Sequence, residues 1–310
     1  MVIITDTKKM NLNRETAVAI GKFDGLHLGH RRLLEEILNQ KQKGLAACVF
    51  TFDPAPAVLF GYSDGRELMT KEEKRAILAG MGVDILIEFP LTMQTAAIPA
   101  REFVTEILVK QMHVRFIAAG SDLSFGAGGK GDAVLLKEME KDCGFQVKTI
   151  EKVRLGEQEI SSTYVREQLE AGNMMLVEQL LGRPYTITGT VVHGNRLGRT
   201  LGMPTVNLLP PAAKLLPPCG VYYSSVLYRG KHYRAISNVG YKPTVTDARV
   251  MGVETYLYDF HSEIYGEEIE VSLHEFKRPE KRFESIEELK EQLLQDIREG
   301  YCKENVKKLL

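Results

Sequence analysis

Two histidines three residues apart stand in the stretch Gly21-Lys22-Phe23-Asp24-Gly25-Leu26-His27-Leu28-Gly29-His30. The apolar run Ala17 to Ile20 before it reads as a buried strand, and Leu33, Leu34, Ile37 and Leu38 after it recur at helical spacing. A strand-to-helix turn gathers free backbone N–H groups and the positive end of a helix at one point, a setting for phosphate. If His27 and His30 lie on the first helical turn they share a face. Two imidazoles there can donate hydrogen bonds to phosphate oxygens, and they contribute most where negative charge builds up in a transition state. Gly29 between them permits close approach of a ligand to the backbone. A lone histidine at a helix start is usually a cap; the pair behind a Gly-Asp-Gly-type turn points to phosphate chemistry.

A second group of phosphate-friendly residues is Ser161-Ser162-Thr163 with Arg166 one turn further on. The hydroxyls sit at a helix start and the guanidinium can fork onto phosphate oxygens; simple N-capping is the competing explanation. Between these two groups the loop Gly120 to Gly131 carries Asp122 in a glycine-dense run that is either mobile or wraps a ligand.

The other half of the chain has its own set. From Gly189 to Asn207 a strand feeds a loop holding Gly194, Arg196, Gly198, Arg199, Thr200, Gly202 and Pro204, followed by Thr205 and Asn207 on one strand face. Glycines let backbone N–H groups reach phosphates, and the oxygens of Thr and Asn suit Mg²⁺. No Gly-Lys-Ser/Thr closes the loop, so it is not a Walker A loop. A plain hairpin with solvated basic residues is the alternative. Glu254 alternates onto one face with Tyr256, Tyr258 and Phe260, where it either accepts a proton from an attacking hydroxyl or is an ordinary strand carboxylate.

These residues need positioning elements, and the patterns supply two kinds. A chain of 310 residues is long enough for about two domains. Strands are expected at 17–20, 45–52, 84–89, 114–119 and 145–152, alternating with helices at 31–40, 71–81, 99–112 and 134–142; Thr70 and Glu73 form a capping box and Asp132 a cap. That order defines a parallel, doubly wound sheet whose ligands sit at the strands' carboxyl ends. The three turns all follow strands and can converge there. Beyond Leu180-Leu181-Gly182-Arg183-Pro184 the texture changes to alternating strands at 185–193, 222–228, 235–239, 254–260 and 269–273, then an amphipathic helix over 283–299. This is a small antiparallel barrel with a packed helix, and the boundary is placed between 182 and 183.

Net charge is −1, which excludes a bulk electrostatic pull toward nucleic acid or membrane. Cys48, Cys143, Cys219 and Cys302 show no metal-ligand spacing. Met1 to Arg14 lacks the apolar core of a signal peptide, and no apolar run is long enough to cross a bilayer. A cytoplasmic protein with reduced thiols is expected; nothing in the sequence sets an oligomeric state.

The histidine turn resembles the signature of the nucleotidyltransferase superfamily. With Ile160-Ser161-Ser162-Thr163-Tyr164-Val165-Arg166, the segment His193 to Asn207 and Asn238-Val239-Gly240-Tyr241-Lys242-Pro243-Thr244, nearly the whole chain resembles the bacterial bifunctional riboflavin kinase/FAD synthetase family. The resemblance implies a Rossmann-like adenylyltransferase domain over 1–182 and a six-stranded riboflavin kinase barrel over 183–310. It implies riboflavin, FMN and ATP as substrates, with Mg²⁺. His27 and His30 would hold the ATP phosphates and stabilise charge at the α-phosphorus. Gly21, Phe23, Asp24, Gly25 and Gly29 would line the nucleotide, Asp122 would lie near the reacting phosphates, and Ser162, Thr163 and Arg166 would bind phosphates from the opposite side. In the barrel, the loop from Gly194 to Gly202 with Pro204 would wrap the nucleotide. Thr205 and Asn207 would hold Mg²⁺, and Glu254 would be the general base.

The departures from the family pattern lie in the first half. Ala55 stands where many members have His, Tyr164 where Arg is frequent, and Leu123, Ser124, Ala127 and Gly129 leave Lys130 as the one basic residue of its loop. These departures allow a monofunctional riboflavin kinase with a regulatory nucleotide-binding module, and the histidine turn taken alone allows a nucleotidyltransferase making a CDP- or pantetheine-linked product.

Overall fold

A computed structural model describes residues 1–194, 200–242 and 250–302. The chain divides into two compact units, Met1–Ser162 and Thr163–Leu310.

In the first unit, four apolar internal strands and a more exposed edge strand pair in parallel. The internal ones are β2 (Thr16–Ile20), β3 (Ala46–Asp53), β4 (Ile85–Pro90) and β5 (Val114–Gly120), and the edge strand is β6 (Gln146–Ile150). A sixth, β1 (Val2–Thr5), adds at the edge beside β4, giving the order β1-β4-β3-β2-β5-β6. The sequence pattern contains no β1 because an edge strand pairs on one side only: Val2 is 61% exposed. Every residue of β2 is buried, as expected of a strand covered on both faces. The chain leaves β2 toward β3 and β4, then returns to β5 on β2's other side. The crevice at the carboxyl ends of β2 and β5 is therefore the switch point at which such sheets bind ligands.

Helix α1 (Leu28–Asn39) is capped by His27, and α2 (Lys71–Gly80) by the complete Thr70–Glu73 capping box. Helix α3 (Ala133–Cys143) begins at Asp132, whose carboxylate accepts the Leu135 N–H at 2.8 Å. The helix expected from Pro99 to Met112 is instead a short turn, Ala100–Glu102, followed by a π-helical stretch, Phe103–Val109. The wider turn lets Phe103, Val104, Ile107 and Leu108 all be buried. The glycine-dense loop after β5 is pinned at its middle: Phe125 is buried and exchanges two 2.9 Å backbone hydrogen bonds with Gly131. Gly126, at φ +71°, lies so close to Ala100 that a Cβ would come within 2.6 Å of its Cα. A short hairpin, β7 (Arg154–Leu155) and β8 (Gln158–Glu159), precedes Ser162.

Helices α4 (Ser162–Glu170) and α5 (Met174–Leu181) lead into the second sheet. Its strands are β9 (Tyr185–Thr190), β10 (Thr205–Leu208), β11 (Gly220–Tyr228), β12 (Lys231–Lys242), β13 (Val250–Leu257) and β14 (Glu268–Pro279). The order is β10-β13-β12-β11-β14-β9, all antiparallel. A bridge between Val192 and Asn207 joins the two edges and closes the barrel. Alternation sends Val253, Thr255 and Leu257 inward. Buried hydroxyls inside satisfy one another, Ser224 to Ser237 and Ser237 to Thr255, each at 2.8 Å. Helix α6 (Ile286–Cys302) packs on the outside. Its Asp296 is buried and ion-paired with Lys277 at 3.0 Å and Arg278 at 2.5 Å. Burial alone would raise the Asp296 pKa, but hydrogen bonds from Arg278 and Lys277 hold it below its ordinary value.

Candidate active sites

The histidine turn is a strained backbone. Phe23, Gly25 and Leu26 have φ of +51°, +77° and +46°, and two of these are not glycine, a conformation that persists only where surrounding packing enforces it. The enforcement is visible. Phe23 and Leu26 are fully buried, and the Asp24 carboxylate accepts the Leu68 N–H at 2.9 Å. The Asp24 carbonyl accepts from the Ser162 hydroxyl at 3.0 Å, and Gly21 N–H donates to the Phe50 carbonyl at 3.1 Å. Phe23 and Asp24 thus lie in the scaffold beneath the histidines.

His27 is both cap and candidate ligand. Its Nδ1 accepts the His30 N–H at 3.4 Å, which leaves Nε2 to carry the proton and act as a donor. The two rings stack, centroids 3.8 Å apart and tilted by 20°, so they share a face as expected. Gly29 is required here for a local reason: a Cβ would sit 3.1 Å from the His27 ring. His30 Nδ1 is buried with no hydrogen-bond partner. A buried polar atom left this way is costly unless a ligand satisfies it. Burial lowers the His27 pKa to about 4, against a raising influence of Asp122. Burial, then His27, then Lys74 push His30 well below its ordinary value. Both imidazoles are neutral at pH 7.

Asp122 is close enough to act on His27, although its side chain is 69% exposed and 3.8 Å from Lys152. Ser162 spends its hydroxyl proton on the Asp24 carbonyl, so it staples two turns together and can offer a ligand only its lone pairs. Thr163 is exposed and Arg166 half-buried on α4, in the second compact unit.

The neutral histidines make stability pH-dependent. His27 and His274, also lowered to about 4 by burial, have folded-state values below the unfolded 6.5. The unfolded chain therefore takes up protons first as pH falls. Their contribution is complete above pH 6.5 and is lost between 6.5 and 4, at most about 3 kcal/mol per histidine. Calorimetry from pH 8 to 4 is expected to show melting temperatures dropping mainly below 6.5. His27→Asn should weaken the pH dependence of the first unit, which His30 still carries, and leave that of the second unchanged.

In the barrel, β10 pairs with β13 so that Asn207 faces Glu254 across the ladder. The Thr205 hydroxyl donates to Glu254 Oε1 at 2.7 Å, and Lys242 Nζ donates to Oε2 at 2.5 Å. Lys242 has no role in the sequence reading; β12–β13 pairing brings it to the carboxylate. Two cavities flank this group. One, about 610 Å³, lies between the barrel's outer face (Ile236, Asn238, Glu254, Tyr256) and α6 (Leu293, Ile297), with Arg278, Lys281 and Arg282 on its rim. The other, about 280 Å³, is lined by Gly194, Gly202, Pro204, Asn207 and Tyr265. Thr205 lines both. His193 and Tyr265 rings lie 3.9 Å apart beside the smaller one. Thr200 is exposed, and Arg196, Gly198 and Arg199 lie outside the described residues.

A Cβ on Gly194 would come within 2.5 Å of Asn207 Nδ2. Gly194→Ala is expected to displace Asn207 and lower barrel-domain turnover ~10-fold or more, the scale of one misplaced charged-ligand contact. Assaying both activities of the variant checks this, since the other domain should be unaffected.

Ser225, His274 and Glu178 stand in the order of a hydrolase triad, with Ser225 2.9 Å from His274 Nε2. His274 Nδ1 is 3.9 Å from Glu178, too far for a hydrogen bond, and Ser225 and His274 are buried outside both cavities. The group is a structural contact.

Two cavities that share Thr205, hydrogen-bonded to a carboxylate on the larger one, stand on a chain that also carries a stacked histidine turn on a parallel sheet, the setting of a two-domain nucleotide-handling protein. The sequence model of the FAD synthetase family matches residues 9–164, and that of the riboflavin kinase family residues 181–301. The bifunctional riboflavin kinase/FMN adenylyltransferase of Escherichia coli K12 is 39% identical over 90% of both chains. That of Listeria monocytogenes is 36% identical over 94% of this chain and 93% of its own. A crystal structure titled as a macrolide-efflux protein from Streptococcus pneumoniae superposes with a TM-score of 0.87 at 30% identity, covering 98% of this chain and all of the other. The chain belongs to the bifunctional riboflavin kinase/FMN adenylyltransferase family. Among the described residues no helix is long and apolar enough to cross a membrane.

Proposed function

We propose that the chain phosphorylates riboflavin with ATP and then adenylylates the FMN formed with a second ATP, releasing FAD and pyrophosphate. The observation that carries the kinase half is that both cavities reach Thr205, whose hydroxyl is bonded to Glu254 on the larger one. The larger cavity, apolar with a charged rim, takes the flavin, and the smaller takes the nucleotide. A ribityl hydroxyl reaches Glu254, gives it its proton and attacks the γ-phosphorus as the bond to ADP breaks. Thr205 and Lys242 hold the carboxylate in place for that transfer.

Mg²⁺ fits the residues present. Among the described residues no three His, Cys, Asp or Glu side chains cluster as a metal cage. Thr205 donates its proton to Glu254, which leaves its oxygen lone pairs available, and Asn207 adds a carbonyl oxygen two residues on. A hard cation held by one or two protein oxygens, phosphates and water is the usual arrangement for Mg²⁺. Bound there it would neutralise phosphate charge.

In the first domain the FMN phosphate attacks the α-phosphorus and pyrophosphate leaves, with no covalent enzyme intermediate. His27, through Nε2–H, and His30 donate to the phosphate oxygens, with Asp122 acting on His27; Ser162, Thr163 and Arg166 are the further phosphate-binding candidates. We assign residues 1–182 to this reaction and 183–310 to the kinase. The partners are small molecules rather than nucleic acid. The cytoplasm is the matching compartment, as Cys48, Cys143 and Cys219 are free thiols.

Matches to both family models, and bifunctional relatives aligned over nine-tenths of the chain, favour two activities over a lone kinase. Supplying riboflavin, ATP and Mg²⁺ and separating the flavins over time tests the scheme. FMN that rises and then converts to FAD supports both halves; FMN that accumulates without FAD removes the second.

A further inference from the structure

The larger cavity carries a second carboxylate beside Glu254, one that proton transfer does not need. Glu280 lies directly after β14 and lines the cavity together with Asn238 and Glu254. Asn238 on β12 pairs across the ladder with Glu254 on β13. Their side chains therefore stand on one face of the barrel, one strand spacing of about 5 Å apart. The Asn238 side-chain amide donates to Glu280 Oε1 at 3.3 Å, which extends the polar row to a third residue. Gly240, two residues on and on the same face as Asn238, leaves room for that carboxylate: a Cβ there would overlap Glu280 Oε1. The neighbouring cations are engaged elsewhere, Arg278 with Asp296 and Lys281 with Glu288 at 3.1 Å. The rest of the lining includes the apolar Ile236, Phe283, Leu293 and Ile297. A ligand that brings a hydroxyl to Glu254 and lays an aromatic ring on those apolar groups passes its connecting chain beside the polar row. Carboxylate and amide oxygens accept hydrogen bonds and the amide N–H donates one, and the hydroxyls of a polyol chain can both donate and accept.

We propose that Glu280, with Asn238, binds the secondary hydroxyls of the ribityl chain and sets the selectivity of the kinase for a flavin whose side chain is fully hydroxylated. Glu254 then handles the reacting hydroxyl and the Asn238–Glu280 pair reads those behind it. The assignment rests on the kinase reading above, in which the larger cavity takes the flavin.

Glu280→Ala and Glu280→Gln are compared with the parent in ATP and Mg²⁺, on riboflavin and on its analogues lacking the 2′-, 3′- or 4′-hydroxyl. The parent is expected to favour riboflavin over at least one analogue ~10-fold or more in kcat/KM, the range for one hydrogen bond to a charged group. Glu280→Ala is expected to raise KM for riboflavin by a similar factor with kcat within ~3-fold, and to favour riboflavin over that analogue by less than ~3-fold. Glu280→Gln, which keeps an acceptor oxygen and loses the charge, should fall between. Glu280 is exposed, so melting of the second unit should not change. A structural role predicts equal losses on riboflavin and analogue, with the preference kept. That outcome, a parent without preference, or an unchanged KM overturns the assignment. If the parent phosphorylates no flavin, the kinase reading fails separately. Titration of riboflavin and analogue fluorescence with protein then decides Glu280: a preference for riboflavin that Glu280→Ala loses supports it, and a preference that is kept, or none in the parent, overturns it.

Discussion

Glu254→Gln is expected to lower riboflavin phosphorylation by ~10²–10⁴-fold, the usual loss on removing a general base, while FAD formation from added FMN continues at the parent rate. The amide keeps the shape of the side chain and still accepts from Thr205, so the larger cavity it lines and the smaller one that shares Thr205 are preserved. It cannot take the hydroxyl proton. It also leaves Lys242, only 21% exposed, without its counter-charge, so a modest drop in melting temperature accompanies the loss. Glu254→Gln combined with Lys242→Met should recover the stability and not the turnover. Steady-state assay of both activities with calorimetry checks all three statements. A Glu254→Gln enzyme that phosphorylates riboflavin at the parent rate would remove Glu254 from the mechanism.

His27→Asn is expected to reduce FAD formation ~10²–10³-fold, as when one donor to a developing anion is removed, with riboflavin phosphorylation intact. Asparagine is a good N-cap, so its side chain can replace Nδ1 as acceptor for the His30 N–H. What it does not replace is the Nε2–H donor and the face stacked on His30. His27→Ala removes cap and donor together and should also cost about 1 kcal/mol of stability. Comparing the two variants by thermal melting and by FAD formation separates the structural duty of this histidine from its chemical one. Because burial holds His27 near 4, the activity it supports should not titrate between pH 6 and 8. A His27-dependent inflection near 6.5 would contradict the neutral donor.

Much of this architecture is written in contiguous stretches. β2, the histidine turn and α1 follow one another, so a buried apolar run, a glycine-rich turn and a helical repeat were enough to locate them. The capping box on α2 and the Asp132 cap of α3 are equally local. The barrel strands appear as alternation between glycine and proline turns. Strand β1 and the π-helical stretch at 103–109 do not appear: the first because an edge strand lacks a two-sided apolar signal, the second because its period differs only slightly from an α-helix.

Contacts across long separations were beyond local pattern. Ser162 and Asp24 are 138 positions apart, and their hydrogen bond turns a suspected phosphate ligand into a staple as well. Thr205 and Glu254 are 49 apart, and the β10–β13 register makes them neighbours. Lys242 gains its meaning only from what faces it, the Glu254 carboxylate.

The amino-acid sequence by itself thus determined the two-domain plan, the parallel sheet and the barrel, and the residue types able to handle phosphate, because periodicity, caps and turn chemistry are local. Only the tertiary structure decided which side chains are paired and which are left to a ligand. Pairing depends on strand register and helix packing, which bring charges together irrespective of their distance along the chain.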